Sequence, residues 1–114
     1  MTLGQKQRLF TGLVSNLIEF TYYSGFELTF GEAWRPPETA KIYAQEGRGI
    51  PTSLHLDRLG IDLNLFKDGE WLTDTEDHRP LGEFWERQHE LCVWGGRFKK
   101  PDGNHYAITH GGRK

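Results

Sequence analysis

His55 and Asp62 stand seven residues apart in SLHLDRLGID, and Asp102 precedes His105 by three in DGNH. Imidazole nitrogens and carboxylate oxygens are what zinc takes as ligands. A catalytic zinc uses three of them and keeps one position open for water. His55, Asp62 and His105 would supply two nitrogens and one oxygen. Asp102, across the Asp-Gly-Asn turn, would place a carboxylate over the open position as a general base. Spacing alone leaves a plainer reading just as open. In it Asp62 is a strand-edge residue, His55 a satisfied loop histidine, and Asp102-Gly103 an ordinary turn. His78 follows the acidic run DTED and is expected at the surface. His89 falls in a helical stretch, WERQHELC, and His110 near a loose terminus.

Composition narrows the function classes. The 114 residues suggest one domain spanning 1–114, with a single modest core. Aromatics at 13% argue against disorder, although the mean hydropathy is −0.66. The net charge of −2 lacks the basic excess of a nucleic-acid binder. Cys92 is the one cysteine, so no internal disulfide framework exists, and its setting in LCVW suits a buried, inert thiol. The N-terminal MTLGQKQRLF has no apolar run of signal-peptide type. No stretch approaches the roughly 20 apolar residues of a membrane span. Synthesis in the cytoplasm, without a membrane span, is the expectation.

The elements that must position these residues can be read from periodicity. Leu9, Leu13, Leu17 and Phe20, widened by Phe10, Val14 and Ile18, predict a helix over 4–22. Phe26, Leu28 and Phe30 alternate with Glu27, Thr29 and Gly31, as in a half-buried strand. Pro36-Pro37 opens a short helix to about Gln45, broken at Gly47 and Gly49, with Pro51 leading into Ser53. GIDLNLF (60–66) predicts a strand with Leu63 and Leu65 on one face and Asp62 and Asn64 on the other. Lys67-Asp68-Gly69 turns it back into EWLT. A third helix is expected from about Pro80 to Leu91, ended by Trp94-Gly95-Gly96, and HYAIT is a last strand. The class is α+β, a small, mainly antiparallel sheet with about three helices.

Taken together, S-x-H-x6-D, then W-G-G, then D-x-x-H resembles the zinc D-Ala-D-Ala carboxypeptidase and dipeptidase superfamily. Its members include vancomycin-resistance peptidases and phage L-alanyl-D-glutamate endolysins, and its fold is shared with hedgehog amino-terminal domains. The residues that carry the resemblance are Ser53, His55, Asp62, Trp94, Gly95, Gly96, Asp102 and His105. GEAWRPPETAKIYAQ resembles the segment that brings in an arginine, here Arg35. The match runs in order over about residues 25–110, and the single-domain endolysins compare best.

The resemblance implies a Zn2+ held by His55, Asp62 and His105, with Asp102 as general base and acid. It implies Arg35 as the cation on the scissile carbonyl or its oxyanion. It gives Ser53 a substrate or supporting hydrogen bond, with a plain loop serine equally open, and packs Trp94 under the site. The substrate is then the peptidoglycan stem peptide, cut at L-Ala–D-Glu or at a D-Ala bond. A monomer is expected, reaching the cell wall in the periplasm after release or virion delivery. Two positions depart from the pattern: Gly60, where relatives often carry alanine, and Arg97, where they are often acidic. The rival from another class is a non-catalytic zinc-binding virion or cell-wall-binding domain of the same fold, which needs the ligands but neither Asp102 nor Arg35.

Overall fold

A computed structural model describes residues 1–48 and 53–114. Helix α1 spans Leu3–Tyr23 and starts at a capping box, with Thr2 and Gln5 each satisfying the other's backbone N–H. Phe10, Leu13, Val14 and Leu17 are its buried stripe, with Leu9 and Ile18 packed at the margin, so the expected period holds. Strand β1 (Glu27–Phe30) and helix α2 (Pro37–Gln45) follow, the latter with proline in its first turn. Gly47 lies beyond α2 at φ +75°, whereas the break expected at Gly49 and the turn at Pro51 fall outside the described residues.

Strand β2 (Gly60–Lys67) turns through Asp68 and Gly69, both at positive φ, into β3 (Glu70–Leu72). Two central residues of positive φ match the right-handed twist of a tight hairpin, which is why Asp-Gly occurs there. Helix α3 (Arg79–Gln88), strand β4 (Cys92–Trp94) and strand β5 (His105–Ile108) complete the chain.

The sheet is antiparallel throughout, in the order β1-β2-β5-β4, with β3 also paired to β2. Ile61, Leu63 and Leu65 of β2 point into the core, while Asp62 and Asn64 point away. α1 and α3 pack against each other and against strands of the sheet. Trp85 of α3 is the centre of this layer. Its ring meets Phe10 and Tyr106 edge-on, and its indole N–H is shared by the carbonyls of Val93 and Ala107. Phe84 stacks on Phe20, and Gln88 donates to the Leu13 carbonyl, as the shared face of Leu81, Phe84, Trp85 and Gln88 predicts. Apolar packing thereby covers one face of the sheet, and Asp62 lies on the other.

Several expectations are corrected. The third helix stops at Gln88, because LCVW becomes strand β4 and its alternate residues Cys92 and Trp94 are buried. His89 is therefore the residue that caps α3, with Nδ1 accepting the Leu91 N–H. His78 is buried, not exposed: a 3-10 turn at Thr75–His78 leads into α3 and turns the ring onto the Tyr106 hydroxyl, 2.7 Å away. His110 is tied down by a β-bridge to Arg113 and by Lys6, whose Nζ lies 3.2 Å from its Nδ1. Phe30 is 71% exposed, since the end of β1 opens onto an apolar groove with Phe10, Val14 and Trp34. Among the described residues, no helix is long and apolar enough to cross a membrane.

Candidate metal centre

Three separate elements bring His55, Asp62 and His105 together. His55 sits in a 3-10 turn, Leu54–Asp57, which is capped by a serine: the Ser53 hydroxyl accepts the His55 N–H at 3.2 Å. Gln7 of α1 donates to the Asp57 carbonyl and fixes the far end of that turn. Asp62 is on the outward face of β2, and His105, the first residue of β5, is its direct antiparallel partner. Directly opposed residues point to the same side of a sheet. The register of two strands thus pairs two of the three side chains, and the capped turn brings in the third.

Asp62 Oδ1 lies 3.3 Å from His55 Nε2 and 3.3 Å from His105 Nδ1. Each of the three residues offers one ligand atom within 4.8 Å of the other two. Donors about 2.0–2.1 Å from a tetrahedral zinc stand roughly 3.3–3.4 Å apart, so two of the three separations already have that value. Two imidazoles and one carboxylate are also the donor chemistry zinc accepts. The residues present fit the ion. Burial alone would raise the Asp62 carboxyl, but hydrogen bonds from His105 and His55, and their charge, hold it down at about 2. It is an anion at any neutral pH.

Asp102 begins the turn that delivers His105, with its carbonyl accepting the His105 N–H at 3.1 Å. Burial pushes its carboxyl above the ordinary value; His105 pulls it back, Asp62 pushes it further up, and His55 opposes. The Asp102 carboxyl is thus within electrostatic reach of all three residues. The W-G-G motif explains how this turn is seated. The Gly95 carbonyl accepts the Asp102 N–H at 2.9 Å, and a Cβ on Gly95 would fall 2.3 Å from the Asp102 carbonyl oxygen. Trp94 donates its indole N–H to the Gly103 carbonyl at 2.8 Å and lies flat against Gly82 and Gly96, where any Cβ would strike its ring. Trp94 is 1% exposed and supports the turn from beneath, as expected.

Arg35 and its neighbours hold the other side. The β1 ladder continues past the strand: Gly31 N–H donates to the Asp62 carbonyl at 2.8 Å, and Asp62 N–H donates to the Glu32 carbonyl at 2.9 Å. Arg35 N–H then donates to the His55 carbonyl at 3.1 Å. The guanidinium lies over the Tyr43 ring and binds Glu32 Oε1 through Nε at 2.7 Å and Nη2 at 2.5 Å. Glu32 is the residue that the sequence reading passed over. The signal that could have found it is its place three residues before Arg35, in the segment that runs alongside Asp62.

The two departures have structural outcomes. A Cβ on Gly60 would lie 3.2 Å from His105 Cε1, so glycine gives that ring room. Arg97 is bound to Glu86 by two hydrogen bonds, at 2.6 and 2.9 Å, on the solvent side. Cys92 is buried and its thiol is pushed up to about 12, which makes it a poor nucleophile.

No protein-family model matches the chain, and no curated protein matches it by sequence. Solved structures do. An L-Ala D-Glu endopeptidase of Serratia marcescens, ChiX, is similar with a TM-score of 0.71 at 19% identity, over 87% of this chain and 79% of that one. The vancomycin resistance D,D-pentapeptidase VanY of the VanB-type cassette, solved as an E175A mutant with Zn(II), is similar with a TM-score of 0.60 at 17% identity. That match covers 89% of this chain and 71% of the other. With the sheet order already described, these likenesses show that the chain has the α+β fold of these two peptidases.

Proposed function

We propose that this chain is a zinc metallopeptidase that cuts the peptide stem of bacterial peptidoglycan. The observation that carries the reading is the His55–Asp62–His105 cluster, two of whose separations match tetrahedral ligand spacing, with Asp102 at the start of the turn that delivers His105. His55, Asp62 and His105 would hold the ion, which when bound supplies Lewis acidity and lowers the pKa of water. Asp102 takes a proton from the attacking water and returns it to the leaving amine; a carboxyl raised by burial suits that exchange. Arg35, with Nη1 outside its pair with Glu32, presents a cation to the carbonyl as negative charge develops there. Ser53 acts by holding the His55 turn in place.

The higher similarity to a protein described as an L-Ala D-Glu endopeptidase favours that bond over a D-Ala bond. An endolysin role, with the wall reached after release or in a virion, is the biological setting that the sequence resemblance adds. The test is digestion of purified muropeptides, read by mass spectrometry. The expected result is cleavage that chelation abolishes and zinc restores, and a drop of about 10²–10⁴-fold in Asp102→Ala with zinc still bound. Full zinc occupancy with no cut in any stem peptide would replace this reading with the non-catalytic zinc domain.

A further inference from the structure

The Nδ1 atom of His55 is buried and has no hydrogen-bond partner among the described residues. Such orphans are rare, and each calls for a physical reason. Its nearest ionic neighbour is Glu32 Oε1, 3.6 Å away and a few tenths of an ångström beyond hydrogen-bond reach. The opposite nitrogen, Nε2, faces Asp62. His55 is thus strung between two carboxylates, one in the candidate ligand set and one behind it.

Glu32 is well placed to act on that ring. Its backbone carbonyl is bonded to the Asp62 amide, so its position is locked to a second candidate ligand. Its carboxylate is held by the Arg35 guanidinium, and the Arg35 amide is bonded to the His55 carbonyl. Four residues, Glu32 to Arg35, therefore fasten both ligand-bearing segments at once. A metal-bound imidazole commonly donates its other N–H to a carboxylate, which fixes the tautomer and raises the basicity of the ligating nitrogen.

We infer that Glu32 is a positioning residue for the metal centre: it accepts the Nδ1–H of His55, commits Nε2 to the metal, and through the same oxygen sets the place of Arg35. The inference rests on the zinc reading of the site, and its measurement does not involve a substrate. It explains the unpartnered Nδ1 and the shared Oε1 contacts together.

The experiment is zinc affinity by competition with a chromophoric chelator for the parent, Glu32→Ala and Glu32→Gln. Glu32→Ala should bind zinc about 10–100-fold more weakly. Glu32→Gln keeps a carbonyl acceptor for Nδ1–H and should recover most of that loss. Long-range 1H–15N spectra of the zinc-loaded parent should show His55 protonated at Nδ1, with that proton exchanging faster in Glu32→Ala. A merely structural glutamate would change melting temperature without moving the tautomer signal. Parent-like affinity in both variants, or His55 protonated at Nε2 with zinc bound, would overturn the inference. If Glu32→Ala does not fold, Glu32→Gln and the parent spectra still decide it. A parent that binds zinc but cuts no muropeptide sinks the peptidase reading and leaves this inference standing; one that binds no zinc sinks both.

Discussion

His105 and Asp62 are direct partners in the antiparallel register of β5 and β2, and their side chains meet with Nδ1 3.3 Å from Oδ1. A metal centre built this way inherits its geometry from the sheet ladder. Asp62 is also the residue that both histidines face, so removing its charge should remove the centre. In Asp62→Asn, zinc affinity is expected to fall by more than roughly 100-fold, beyond the range seen for outer partners. Chelator competition measures it, and parent-like affinity would mean the ion is held elsewhere.

Gly95 should tolerate no side chain. A Cβ there meets the Asp102 carbonyl oxygen at 2.3 Å and His105 Cβ at 2.9 Å, at the two ends of the turn that seats the proposed base and a proposed ligand. Gly95→Ala is expected to destabilise by about 1–3 kcal/mol, as overpacking does, and to weaken zinc binding with it. Gly12→Ala is the control. It lies on the exposed side of α1 with nothing within 4 Å of a new Cβ, and should stabilise by roughly 0.5–1 kcal/mol. Urea denaturation of the two variants should move the midpoint in opposite directions.

Gly60→Ala should give a milder result. Its Cβ would sit 3.2 Å from His105 Cε1 and 3.6 Å from the His55 amide nitrogen, tight but not forbidden. The fold should survive with a cost of about 1 kcal/mol, while zinc affinity falls several-fold as the His105 ring gives way. An unchanged affinity would show that the ring has slack.

The buried His78 makes stability depend on pH. Burial holds its folded pKa down at about 4, against an ordinary value of about 6.5, despite the opposing charge of Asp77. The unfolded chain binds the proton first as pH falls. Stability is therefore complete above about pH 6.5 and declines between there and about pH 4, by roughly 3 kcal/mol from this group. His78→Gln should flatten that segment of the stability–pH curve; a slope equal to the parent's would assign it to other groups.

Arg97 should be dispensable. Its pair with Glu86 lies in solvent, where such bridges contribute little. Arg97→Ala is expected to match the parent in muropeptide cleavage and zinc affinity. A changed substrate preference would place this position in the substrate path after all.

Much of this was legible in local pattern. The 3.6-residue stripe of α1 and the alternation in β2 follow from which residues bury, and a face once buried sets the direction of every neighbour. The Asp68-Gly69 turn follows from positive φ. His78 and Cys92–Trp94 were not legible. A histidine after an acidic run has no local sign of burial, and a three-residue strand after a helix is short enough for its apolar run to pass as helix.

The same division runs through the site. The sequence by itself determined the donor types, their order along the chain, and the glycines and tryptophan around them. Only the tertiary structure decided that His55, Asp62 and His105 meet at ligand spacing, because that depends on strand register and on a capped turn docked against another segment. It alone decided the part of Glu32, whose contacts with His55 and Arg35 arise from a chain path that folds back beside Asp62. Local propensity fixes which way a side chain points from its own element; long-range pairing fixes what it meets there.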